Sequence, residues 1–349
     1  MTEPLRPDGS PEPAAQTPEL AVETPEPASD LQEPRVFGLT TFSIEGRRAP
    51  GLFVVGWLAT FIGAGMAGLT LFGTSGLVGT FMWLAGLAGV AFGLILLGGS
   101  QSIERRAAGA AYAGPSPMLV FVVVIAVSQL AGFAVGFPLS LIATNIPQPI
   151  GDLLGVMVQG AVFAGVLRLM VVGAGALAWT EMGLVRGLAN AARGMLGGAV
   201  FAGPVILVTA VLAAAAAQIT GVVPASPLPP TGTAPGLVLH LLAGAVIAPV
   251  AEELLFRGFA LTAWRRTVGS RAAIGRSSLV FVLAHVLFVG GDGFREAASL
   301  AFVAGVARVP VAIALGWLYV RTGSLWGPIG LHAAYNAILI VIGESLAAA

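Results

Sequence analysis

Cysteine does not occur anywhere in the 349 residues. Its absence excludes disulfides, thiolate metal sites and a cysteine nucleophile. Lysine is missing too, so every basic side chain is an arginine; with abundant Ala and Gly, this points to GC-rich codon usage and a bacterial source. Charge is scarce, at 10% of residues against about a quarter in ordinary soluble domains. The formal net charge is zero, which gives nucleic acid no basic surface to bind. The polar N-terminus has no apolar h-region, so no cleavable signal peptide is expected. What abounds is apolar sequence: 56% of residues are hydrophobic and the mean hydropathy is +0.91. Several runs exceed the roughly 18 to 20 residues that cross about 30 Å of hydrocarbon as a helix. The expected fold is all-α, a polytopic transmembrane helical bundle embedded in a lipid bilayer.

Residues 1–49 form a separate regime, rich in Pro, Glu and Ala and poor in large apolar side chains. Such a segment buries too little surface to offset its ordering entropy. It is expected to be a disordered cytoplasmic tail, with docking of a partner as a secondary reading. Residues 50–235 are expected to hold the N-terminal transmembrane helices and 236–349 a catalytic set. Apolar spans lie at about 52–72, 77–98, 118–142, 153–177, 196–217, 237–261, 275–290, 297–319 and 324–346. Arginines alternate between the breaks. Arg47 and Arg48 precede the first span, Arg105 and Arg106 follow the second, and Arg186 and Arg193 the fourth. Arg265, Arg266, Arg271 and Arg276 follow the sixth, and Arg321 the eighth. Loops 143–152 and 218–236 contain none. By the positive-inside rule this is a protein of the bacterial cytoplasmic membrane with a cytoplasmic N-terminus and nine crossings. Eight crossings, with the short 275–290 span lying at the interface, is the alternative. The Gly-rich early spans carry small-xxx-small spacings, which allow close helix packing in lipid.

Polar residues inside apolar spans are functional candidates, because each is expensive to bury in hydrocarbon. "APVAEELLFRGF" (248–259) places Glu252, Glu253 and Arg257 within six residues. On a helix Glu253 and Arg257 are i,i+4 neighbours, whereas Glu252 lies about 100° around and lacks a cation of its own. The bland alternative is that both carboxylates share Arg257, snorkelling at a cytoplasmic helix end. "FVLAHVLF" (281–288) sets His285 one turn after Phe281, and "GLHAAYNAI" (330–338) sets Asn336 one turn after His332. A carboxylate beside an imidazole can deprotonate water, and a second His with an amide can donate to an oxyanion. Equally, Glu252, His285 and His332 would make a zinc shell with an open water position.

The ordered set E-E-x-x-x-R (252–257), F-x-x-x-H (281–285) and H-x-x-x-N (332–336) resembles the CAAX protease and bacteriocin-processing family, and within it the type II CAAX prenyl endopeptidases. The resemblance covers about residues 236–346. It implies an intramembrane endopeptidase acting on a membrane-associated or lipidated peptide or protein. Glu252 would be the general base, helped by His285. Glu253 and Arg257 would support it, His332 and Asn336 would stabilise the oxyanion, and Phe281 would face the substrate. Either no cofactor is required or a divalent metal such as zinc is held.

Two other functional classes stay open: a non-proteolytic scaffold or immunity protein of the same family, and a proton-coupled transporter. The last would show inverted repeats, and none is visible between the halves. Among weaker candidates, His240 lies twelve residues before Glu252, about 18 Å along an ideal helix, and is read as non-catalytic. Arg168 and Arg308 are unusual at membrane depth; either could pair with a site carboxylate or reach lipid headgroups. Pro310 is expected to kink its helix. Asp292 and Glu296 are expected to cap the start of the eighth span.

Overall fold

A computed structural model describes residues 38–348, apart from 74, 144, 225 and 227. The expected tail lies outside the described residues as far as residue 37. Among the described residues the ordered elements are all helical. They are α1 (Pro50–Leu69), α2 (Gly76–Ala107), α3 (Pro117–Ile142), α4 (Gln148–Leu167), α5 (Leu188–Ala199) and α6 (Ala202–Thr220). A continuous α7 (Ala234–Val268) follows, then α8 (Ser270–Val286), α9 (Phe294–Thr322) and α10 (Trp326–Ala348).

Among the described residues eight helical stretches are long and apolar enough to cross a membrane, with α5 and α6 together forming one of them. The exception is α8, whose 17 residues span only about 26 Å at 1.5 Å per residue. It lies where the sequence marks its shortest apolar run. Many large apolar side chains on the outer faces, such as Phe61, Phe72, Leu207 and Leu212, are exposed. In water that would be an anomaly; in a bilayer the lipid covers them. Pro310 does not interrupt α9, which stays helical from residue 294 to 322.

Before α1 the chain is pinned rather than free. Arg47 Nε donates to the Ser43 carbonyl at 2.7 Å and its guanidinium lies 3.5 Å above the Phe53 ring. Glu104 on α2 accepts the Arg48 backbone N–H at 2.6 Å. The packing order is α1 on α2, α2 on α3, α3 on α4 and α4 on α7; α7 in turn packs against α8 and α10, and α9 against α6, α8 and α10. So α7 is central, and the first two helices lie at the edge. The loop after α4 closes one end of this core. Met182 within it is buried, the Leu325 N–H donates to the Gly183 carbonyl at 2.9 Å, and Glu181 pairs with Arg266 at 2.6 Å. The Ala178 N–H, together with Arg266, holds the Glu181 carboxyl below its usual range.

Small residues set the closest approaches. A Cβ on Gly63 would lie 2.5 Å from the Val90 nitrogen, so α1 and α2 meet backbone to backbone. On α5, a Cβ on Gly198 would overlap the Gly327 carbonyl of α10, while one on Gly197 meets nothing within 4 Å. This contact bears on the polar cluster, because α10 carries His332 five residues after Gly327. Gly198→Ala therefore forces α5 and α10 apart at an overpacking cost of about 1–3 kcal/mol, and should lower the thermal unfolding midpoint in detergent. Gly197→Ala, one residue away, should leave the midpoint unchanged or slightly raised.

Candidate active site

The acidic pair sits on α7 between two stretches of π-helix, Leu242–Ile247 and Leu254–Leu261. The cause of the first can be read locally. In π register the Ala248 N–H bonds to the Ala243 carbonyl. The next bond in that register would come from residue 249, which is proline and has no N–H. The Gly244 carbonyl is thereby freed, and Asn336 Nδ2 on α10 donates to it at 2.7 Å. In the second π stretch the Phe256 carbonyl accepts from Ser277 Oγ of α8 at 2.8 Å. π-Bulges trade backbone regularity for such side-chain links and gather at functional sites. Here they tie α7 to both helices that carry the histidines.

Glu253 and Arg257 are both wholly buried and pair through Oε1 and Nη1 at 3.0 Å. Arg257 Nη2 donates to the Ala312 carbonyl of α9 at 3.1 Å, and its guanidinium lies 4.4 Å from the Phe281 ring centre. The snorkelling alternative is thus ruled out: Arg257 has no exposure and binds only Glu253 among the two carboxylates. Glu253 Oε1 also accepts from His332 Nδ1 at 2.8 Å. Removing one member of such a buried network strands a charge, which is far costlier than the net value of the pair.

Glu252 points elsewhere. Its Oε2 lies 3.6 Å from His285 Nε2 and 3.9 Å from His332 Nε2. The tautomers follow from the partners. His285 Nδ1 faces the Phe281 carbonyl at 2.8 Å and His332 Nδ1 faces a carboxylate oxygen, and both of these only accept. Each Nδ1 therefore carries a proton, and in its neutral form each ring turns an Nε2 lone pair toward Glu252. Glu252 Oε2 is buried without a hydrogen-bond donor among the described residues. Three acceptors converge with no protein donor between them.

Such a set suits either a water molecule or a cation, so zinc must be tested on spacing. Tetrahedral ligation at about 2.0–2.1 Å sets ligand atoms roughly 3.3–3.4 Å apart. The separations here are 3.6 and 3.9 Å, and among the described residues no His, Asp or Glu group is arranged to hold a metal ion. As placed, the Glu252–His285 and Glu252–His332 separations are wider than tetrahedral zinc sets, and they leave space for a water hydrogen-bonded to these atoms.

The remaining expectations divide. Phe281, expected to face the substrate, is corrected: it is 1% exposed and packs edge-on to Phe256 and His332. It is the floor that holds both imidazoles and Arg257, too deep to touch a substrate. Asn336, expected at the oxyanion, spends one amide N–H on Gly244 and keeps the other. His332 in its neutral form has no proton on Nε2, so donation there requires the imidazolium. His240 is buried and paired with Asp152 of α4 at 3.2 Å, away from the cluster. Glu296 accepts the Asp292 N–H at 2.6 Å at the start of α9. Sequence reasoning missed Gly244, and the Thr262–Tyr319 hydroxyl bond of 2.7 Å that joins α7 to α9. Pro249, five residues after Gly244, was the available signal for the first.

Neither a curated protein nor a solved structure gave a match to the chain. A family model described as "Type II CAAX prenyl endopeptidase Rce1-like" matches residues 234–338. The matched segment is less than a third of the chain but runs from the start of α7 to beyond Asn336, and so contains Glu252, Glu253, Arg257, His285 and His332. That match, lying on the helices that form the cluster, supports assigning the chain to the CAAX protease family.

Proposed function

We propose that this protein is an intramembrane endopeptidase that hydrolyses a peptide bond of a membrane-associated or lipidated substrate with a water activated by Glu252. The carrying observation is the buried Glu252 Oε2 facing the Nε2 atoms of two imidazoles. A water among these atoms gives one hydrogen to Glu252 and the other to an Nε2. Glu252 takes the first as a proton while the water oxygen bonds to the carbonyl carbon and the C=O π electrons move onto oxygen. Collapse of the tetrahedral adduct breaks the C–N bond, and the leaving amine takes the proton back from Glu252. The second amide N–H of Asn336, one turn beyond His332, is available to the oxyanion. No metal is needed for these steps, and the ligand spacing supports a reading without one.

Cleavage of a library of membrane peptides by the detergent-purified protein tests the reading. Glu252→Gln should lower kcat by about 10²–10⁴-fold, the range that general-base catalysis supplies, and should remain folded. His285→Ala should fall in the same direction. Cleavage unchanged in both variants would sink the proposal, and a wild-type protein that binds such peptides without cutting them would favour the scaffold function instead.

Glu253→Ala should behave differently, because it leaves Arg257 buried without its counter-charge. A stability loss of about 3–5 kcal/mol is expected, read as a large drop in the unfolding midpoint rather than a selective loss of turnover. Metal analysis after tag removal should find zinc well below one equivalent, and chelators should leave cleavage intact. Stoichiometric metal whose removal abolishes turnover would overturn the metal-free mechanism.

A further inference from the structure

Arg308 stands at the midpoint of α9, fourteen residues from each end of Phe294–Thr322. At 1.5 Å per residue that is about 21 Å from either terminus, beyond the reach of a snorkelling arginine. That position favours a partner inside the protein over a lipid headgroup. Its one hydrogen bond among the described residues runs from Nη1 to the Ala304 carbonyl, one turn back on its own helix, at 2.9 Å. No carboxylate of the described residues lies within ion-pair distance of it. A guanidinium offers five N–H donors, and a charge at this depth requires compensation.

The face of α9 that bears Arg308 looks into the site. Gly305, Arg308 and Ala312 follow i, i+3, i+7 spacing and share one side of the helix. Gly305 packs toward Val282 and Val286 of α8, and the Ala312 carbonyl accepts from Arg257. Arg308 lies between these contacts, and its side chain runs back toward residue 304, the level at which α8 carries His285. It is close enough to Glu252, Tyr335 and His285 to act on each electrostatically. The titratable groups that face this region are Glu253 and Arg257 on α7, His285 on α8 and His332 on α10, with Tyr335 of α10 beside Arg308. Arg257 is paired with Glu253, which leaves Arg308 as the arginine whose charge is free to balance Glu252.

We propose that Arg308 is the counter-charge of Glu252, held out of contact with it, and the cation that stabilises the oxyanion formed when Glu252 takes the proton of water. Direct contact would make Glu252 a poor base and block its lone pair. A cation set apart keeps the carboxylate charged while leaving it free. As the proton reaches Glu252, its negative charge disappears and an equal charge grows on the carbonyl oxygen. Arg308 sees that charge move rather than appear, so its donors are oriented before the reaction begins.

The oxyanion half rests on the endopeptidase reading; the counter-charge half does not, and two measurements separate them. In a double-mutant cycle on unfolding in detergent, Arg308→Met and Glu252→Gln should each lower the midpoint. The double variant should recover much of the loss, and Arg308→Lys should keep most of the wild-type value. Additive losses would overturn the counter-charge. In cleavage assays Arg308→Ala should lower kcat by about 10²–10³-fold, the scale of one lost oxyanion donor, with KM little changed. Added guanidinium ion at millimolar concentration should restore turnover saturably, whereas urea, neutral and of similar shape, should not. Undiminished kcat in Arg308→Ala, or rescue by both solutes alike, would overturn the oxyanion role. A wild-type chain that cleaves nothing would overturn that role together with the endopeptidase reading, while the cycle would still decide the counter-charge.

Discussion

Glu253 keeps a carboxylate where no water reaches it, and much of the site is arranged to make that tolerable. Arg257 supplies the opposite charge, His332 supplies a hydrogen bond, and the Ala312 carbonyl takes up a remaining donor of Arg257. These partners come from three helices, so α7, α9 and α10 cannot slide past one another without exposing a buried charge. Phe281 lies against the same guanidinium and against both imidazoles, which extends the constraint to α8. The energetic value of the network lies less in net stabilisation than in the cost of breaking it. That asymmetry fixes the register of the helices on which the chemistry depends.

The π-helical stretches are the second consequence of building chemistry into an apolar helix. A regular α-helix spends every interior carbonyl on its own backbone. Pro249 breaks that accounting at Gly244 and Asn336 completes it from α10. Ser277 adds a second link from α8 at the Phe256 carbonyl. Each is a hydrogen bond between helices, in surroundings where little water competes. The acidic pair therefore sits on a segment held from both sides by the helices carrying its histidines.

Much of the fold was legible because lipid imposes one strong rule, that a crossing segment must be apolar and helical. Gln148–Val172, Ala234–Val268 and Phe294–Thr322 lie where hydropathy and arginine placement expect spans. The shortness of α8 was visible too. The residues of the cluster were legible as costly exceptions, and Glu252, His285 and His332 do converge. Which way each atom points was not. Spacing alone could not tell that His332 turns Nδ1 to Glu253, that Asn336 serves a backbone carbonyl, or that Phe281 lies beneath the imidazoles instead of before them. Those facts depend on π register and on contacts between residues as far apart as 253 and 332, and a pattern of period 3.6 carries neither.

The adjacency of Glu252 and Glu253 follows from the same geometry. Successive residues on a helix point about 100° apart, so two neighbouring carboxylates cannot share one environment. One must face the packed interior and be neutralised there; the other can face a gap between helices. The burial differs accordingly, with Glu253 sealed and Glu252 partly accessible. The proposed catalysis would use that difference, because a base must be charged yet unbonded, and an unbonded charge is what an apolar interior least permits. Pairing the first charge ties together the helices around the second, while Glu253 Oε2 and Arg257 Nε keep no hydrogen-bond partner among the described residues. His332 joins the two, with Nδ1 on the sealed carboxylate and Nε2 toward the partly accessible one. A change in the charge of either glutamate is thus felt by the other through a single imidazole ring.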